Sequence, residues 1–141
     1  MALYQKFNQF VEDLAKKVHN LNSDTLKVML TNTAPSAANT VLANITEITP
    51  GNGYSAGGSA ATFVSGAQSS GTYKLVLNDV TFTASGGSIG PFRYAVLYND
   101  TPTSPADPLI AWWDYGTSLT LTNGNSFTVN LDQSSGVFTL V

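Results

Sequence analysis

The sequence predicts a single mainly β domain, an antiparallel β-sandwich or jelly-roll-like barrel with one N-terminal amphipathic helix. Three observations carry that prediction. Beyond residue 25, apolar and β-branched residues recur at a period of two in short runs, the pattern of half-buried strands. Clusters of Gly, Asn, Ser and Pro separate those runs at turn spacing. A length of 141 residues with 43% hydrophobic content supports one core and one domain, residues 1–141.

Taken in order, residues 3–21 are expected to be the helix. Leu3, Phe7, Phe10, Leu14, Val18 and Leu21 recur at spacings of three and four, while Gln5, Asn8, Glu12, Asp13, Lys16 and Lys17 fill the other face. Lys16, Lys17 and His19 suit the negative end of its dipole, which places His19 on the surface. The β domain spans 25–141 and opens with a strand over Thr25–Thr31. Residues 32–58 then lose all pattern and form a long arm or loop that carries a single charge, Glu47. Loops of that length in a compact domain tend to be functional. A neutral, Ala-rich arm suits contact with another protein, so Pro35, Val41, Leu42, Ile45, Ile48 and Tyr54 are candidate contacts with a partner or a sister subunit; an internal connection with short strands is the alternative.

Ala60–Ser65 reads as a strand and Gly66–Gly71 as a turn. Residues 72–99 read as the central hairpin, with Tyr73, Leu75, Phe82, Phe92, Tyr94 and Val96 as core or interface and a Ser/Gly turn at 85–90. Residues 99–108 hold three prolines and form a surface loop. Leu109–Trp113 is a strand, Asp114–Thr117 a turn, and Leu119–Leu121 a further strand. Asn123-Gly124 suits a tight hairpin with two positive-φ positions, pairing that strand with Phe127–Leu131. The closing segment 137–141 is a paired terminal strand, for a total of eight or nine strands.

Composition excludes several function classes. The chain carries six basic and nine acidic residues, a net charge of −3, and only Lys74 and Arg93 are basic after residue 27, so no phosphate-binding groove is available and no nucleic-acid partner is expected. Charged residues total 11%, against about 25% in ordinary soluble domains. There is no cysteine, hence no disulfide or thiolate metal site. No signal peptide or membrane-length apolar run is seen, so the expectation is a soluble protein made in the cytoplasm with no membrane partner.

No pattern in the chain speaks for catalysis. His19 is the only histidine, too few for zinc, and its place at a helix end argues against a Ser-His-Asp triad. Asp100, Asp107 and Asp114 could be imagined as hydrolase carboxylates, but aspartate is common in Pro-rich turns for backbone reasons. Trp112, Trp113 and Tyr115 could stack on a sugar, although neighbouring Trp residues on a strand point to opposite faces, which puts at least one in the core. The stretch GNGYSAGG lacks the lysine and the strand-loop-helix setting of a phosphate loop. The expectation is a non-enzyme with no cofactor and no metal.

The runs LKVMLTNTAPSAANTVLANITEI, GNGYSAGG, DVTFTASGGSIGPFRYAVLYNDT and WWDYG resemble small structural proteins of tailed-bacteriophage virions, most of all head decoration (cement) proteins. The resemblance spans most of residues 26–116 and transfers no site residues. It implies a structural protein on the outer capsid surface that stabilises the head, with the major capsid protein as partner and a dimeric or trimeric state. The alternative is a tail- or fibre-associated host-binding module that recognises a surface glycan through Trp112, Trp113 and Tyr115.

Overall fold

The computed structural model describes residues 2–141. Strands make up 46% of the chain and helical turns 7%, so the domain is mainly β, as expected. The elements are β1 (Tyr4–Lys6), α1 (Gln9–Ala15), β2 (Leu26–Thr31), β3 (Ser59–Ala60), β4 (Phe63–Ser69) and β5 (Thr72–Leu77), followed by β6 (Val80–Thr83), β7 (Ile89–Asn99), β8 (Leu109–Leu121), β9 (Ser126–Val129) and β10 (Phe138–Leu140). A five-stranded sheet runs β1-β8-β7-β2-β3. The second layer is made of a three-stranded sheet, β10-β5-β4, and a two-stranded ribbon, β6-β9.

The period-two alternation of β2, β7 and β8 puts rows of side chains on both faces of the five-stranded sheet. Leu30, Ala95 and Trp113 align across the strands, face the second layer, and meet Leu75, Leu77, Phe82 and Val129 in the main core. On the opposite face Met29, Val96 and Trp112 align in the same way and form a second cluster with Phe7, Tyr98 and Leu109. The sheet is therefore buried on both faces. Leu42 and Ile45, from the 32–58 segment, pack on that second cluster.

The expected 3–21 helix is much shorter. Tyr4, Gln5 and Lys6 pair with Trp113, Trp112 and Ala111 at the edge of β8, and only Gln9–Ala15 is helical. The apolar spacing is real, but two cores use it: Phe7 is buried in the outer cluster and Phe10 in the main one. Leu3 is left exposed. Lys17 adopts a left-handed φ of 65° and turns the chain back. From there Val18–Asp24 returns toward the sheet. Phe10 meets Phe138 at 5.4 Å, and Tyr4 lies 6.4 Å from the same ring, so α1 covers the side where β1 and β10 approach.

The expected 72–99 hairpin does not form. Strand β5 pairs with β4 and β10, β6 with β9, and β7 with β2 and β8. The Ser/Gly segment crosses between layers, where no period-two argument can see it. Leu75, Phe82, Phe92 and Val96 are buried, while Tyr73 and Tyr94 are half-buried. Two turns also move. The β4–β5 turn is Ser70-Gly71, with φ 50° and 84°, so β4 runs through residues expected to be loop. Strand β8 continues through Asp114–Thr117, absorbing the extra residues as a bulge between the Tyr94–Asp114 and Phe92–Leu119 pairs. At Asn123-Gly124 only Gly124 has positive φ, and β9 leaves β8 for β6.

Besides bonds from Asn32 to Ser118 and from Asn52 to Ser85 and Ser88, the 32–58 arm is fastened to the body at three places. The Asn8 amide donates to the Ala37 carbonyl at 2.9 Å. Leu42 N donates to Asp107 O at 2.9 Å and Leu109 N to Thr40 O at 3.1 Å. The third attachment is to β2, whose neighbour β3 pairs only with Lys27 and Val28. Beyond that point the arm replaces the missing strand: Leu30 N donates to the Tyr54 hydroxyl at 3.0 Å, and Ile48 N donates to Leu30 O at 3.2 Å. Close approach requires Gly58, where a Cβ would lie 1.8 Å from the Val28 carbonyl oxygen.

Tyr54→Phe therefore removes the only acceptor for a buried β2 amide. The expected cost is about 1–3 kcal/mol in chemical denaturation, the range for an orphaned buried polar group. A change under about 0.5 kcal/mol would show that the arm is not anchored there.

Candidate functional site

Two surfaces carry the candidate residues. The first is the arm. Glu47 accepts hydrogen bonds from the Tyr54 hydroxyl at 2.7 Å and from Gly57 N at 2.6 Å, and the Tyr98 hydroxyl donates to Gly57 O at 2.6 Å. Burial pushes the pKa of both phenols well above the usual tyrosine range, which keeps them protonated as donors. Thr31 adds a hydroxyl bond to the Thr46 carbonyl, and Asn44 Oδ1 accepts from Thr40 N and Val41 N.

This anchoring divides the arm candidates. Ile48 and Tyr54 are buried in the main core, at 8% and 2% exposure, so their assignment to a partner contact is corrected: they hold the arm to its own sheet. Pro35, Val41, Leu42 and Ile45 remain half-exposed. Around them Ala34, Ser36, Ala38, Ala43 and Asn44 are exposed, and no charged residue occurs between Lys27 and Glu47. The result is a fixed, charge-free face.

The second surface is a groove of ≈ 330 Å³ between the layers, with Phe92, Trp113, Tyr115, Phe127 and Val129 among its walls and Arg93 at its rim. Phe127 stands edge-on to Phe92 at 5.0 Å and to Tyr115 at 5.3 Å. Arg93 makes a two-pronged pair with Asp114, 2.8 Å from Nε to Oδ1 and 3.0 Å from Nη2 to Oδ2. Its guanidinium also lies 5.3 Å from the Tyr94 ring. The Arg93 hydrogen bonds, with the Gly116 amide, hold the Asp114 carboxyl below the usual aspartate range.

The expected aromatic trio does not assemble. Trp112 packs against Phe7 at 4.6 Å on the outer face, while Trp113 is a core residue set edge-on to Tyr4 at 5.9 Å. Tyr115, at 50% exposure, is the one exposed ring of the three, and Trp112 is half-buried. Phe127 and the Arg93–Asp114 pair were not singled out from sequence. The available signal was Phe92-Arg93-Tyr94, where the only arginine in the chain interrupts an aromatic alternation.

Asp100 pairs with Lys27 at 3.0 Å. Asp107 is held above the usual carboxylate range by burial and by neighbouring Asp100. His19 is 5% exposed, which corrects its expected surface position. The reversal at Lys17 folds it under the sheet, 5.2 Å from the Phe10 ring. Asn99 Nδ2 donates to His19 Nδ1 at 3.0 Å and to Asp24 Oδ2 at 2.7 Å, which leaves the imidazole proton on Nε2. Neither His19 Nε2 nor Asp13 Oδ2 has a hydrogen-bond partner among the described residues. No group of three potential metal-ligating side chains occurs among the described residues.

No family model, no curated protein and no solved structure matches the chain.

Burial depresses the His19 pKa, outweighing the opposing pull of Asp13 and Asp24. The unfolded chain therefore takes up the proton first, and stability falls as pH drops below about 6.5 toward the folded pKa. Melting temperatures from pH 7.5 to 5 test this. Wild type should lose stability over that range and His19→Gln should lose less; parallel curves would remove His19 as the source.

Proposed function

We propose that this chain is a non-enzymatic structural protein of a bacteriophage virion, of the head-decoration class. It binds the outer capsid surface and stabilises the head. The observation that carries the reading is the charge-free face of residues 32–46, fastened to the body by backbone hydrogen bonds at Ala37, Thr40 and Leu42. A neutral exposed face of small residues forfeits little hydration when covered, and a preorganised one loses little entropy on binding. Val41, Leu42, Ile45 and Pro35 would meet the major capsid protein, with the exposed Ala38 and Ala43 between them.

A second reading has its own observation. The aromatic groove, with Tyr115 accessible and the Arg93–Asp114 pair beside it, has the elements that grip a sugar: a ring for the apolar face and fixed polar groups for hydroxyls. In that reading Tyr115 and Phe127, rather than the two tryptophans, make the contact.

Quantitative mass spectrometry of purified virions separates the two. A copy number comparable to that of the major capsid protein supports decoration, and a handful of copies supports a tail or fibre module. Removing the whole arm would also remove Tyr54 and Ile48, so charge substitution is the cleaner perturbation. Ala38→Glu with Ala43→Glu should abolish co-sedimentation with undecorated capsids while changing stability by under about 0.5 kcal/mol, as for ordinary surface sites. Undiminished binding would exclude the arm face as the contact. For the second reading, glycan-array binding should be lost in Tyr115→Ala.

A further inference from the structure

Strand β4 is the outer strand of the three-stranded sheet, and its far edge is open. Its ladder partner is β5 alone, and no other backbone hydrogen bond reaches Phe63–Ser69 among the described residues. Monomeric proteins guard such edges with lysine, proline, strong bulges or very short strands. The other outer strands of the two larger sheets, β1, β3 and β10, are two or three residues long. Strand β4 has seven residues, FVSGAQS, without charge or proline, and its one irregularity lies at Phe63–Ser65. Ser65–Ser69 is left regular and unguarded.

The direction of its free groups follows from the turn. Ser70-Gly71, both at positive φ, closes a two-residue hairpin, so the flanking Ser69 and Thr72 exchange hydrogen bonds. Alternation then turns Ala67 toward β5 as well, and the N–H and C=O groups of Gly66 and Gln68 point outward. Two donors and two acceptors in that spacing match an antiparallel copy of the same segment. With a two-fold axis at Ala67, Gly66 of one copy faces Gln68 of the other and four hydrogen bonds form. The two Ala67 side chains meet at the axis.

We propose that β4 is a self-association edge: two copies pair β4 to β4, antiparallel, into one six-stranded sheet of order β10-β5-β4-β4-β5-β10. The self-complementary spacing of Gly66 and Gln68 fits a second copy, and residues 48–73 contain no charged side chain, so self-pairing brings no like charges together. The closed two-fold symmetry ends assembly at the dimer. This pairing lies away from the arm and does not depend on the capsid reading.

Sedimentation equilibrium of the full chain, at loading concentrations up to about 1 mM, tests it. Wild type should be dimeric. Gln68→Pro removes an outward amide without touching a bond to β5, and should leave a folded monomer. Ala67→Lys and Ala67→Asp each put like charges across the axis and should weaken the dimer about fivefold or more. Mixing those two variants should restore dimers, as the mixed pair has opposite charges at that point. Circular dichroism melts confirm that each variant is folded. A monomeric wild type, a dimer unaffected by both Gln68→Pro and the Ala67 charges, or a failure of the mixed pair to associate would each overturn the assignment.

Discussion

The structure depends on how the edge of β2 is satisfied. Its neighbour β3 covers two residues of a six-residue strand, and the buried Leu30 amide and carbonyl lie beyond that cover. A backbone group left unpaired in the core costs as much as a lost hydrogen bond. Here Tyr54 and Ile48 supply the missing partners from a segment with no regular structure of its own. Once they are in place, Glu47, Gly57 and Tyr98 complete a network that fixes the second half of the arm, while Ala37, Thr40 and Leu42 fasten the first.

Fixing the arm solves a second problem. The five-stranded sheet is apolar on both faces, but the second layer covers only one. Leu42 and Ile45 lie over the row of Met29, Val96 and Trp112. The arm is therefore a structural layer on its inner side and a neutral surface on its outer side. Ala38 and Ala43 lie exposed on that outer side, so it can be altered without removing the inner packing of Leu42 and Ile45.

Much of the strand content was legible in the sequence, because alternation reports burial on a pleated surface. The span of β2 follows from that pattern to within one residue at its start, and the loop before β8 follows from its prolines. The N-terminal helix misled for a specific reason: Phe7 and Phe10 do sit three apart and are both buried, yet in different clusters. Periodicity says that a residue is buried and is silent about where. Among the candidate contacts, Ile48 and Tyr54 looked the same as Val41 and Leu42 in a patternless segment. Only the position of the β2 edge separates them. Trp112 and Trp113 were correctly expected on opposite faces, and the neighbour that lines the groove, Phe127, lies on a strand whose partner could not be read locally.

By itself the sequence determined the composition of the layers: a mainly β domain, its apolar faces, a neutral arm and a surface poor in charge. Those properties are local, set by side-chain period and residue type. Tertiary structure decided the pairings. It split the 72–99 segment among three sheets, carried β9 from β8 to β6, and made β4 an open edge. The reason is physical: hydrogen bonds between strands are identical along every ladder, so backbone chemistry does not name a partner. Which strands meet is settled by packing both layers around one core, and that is a property of the whole chain.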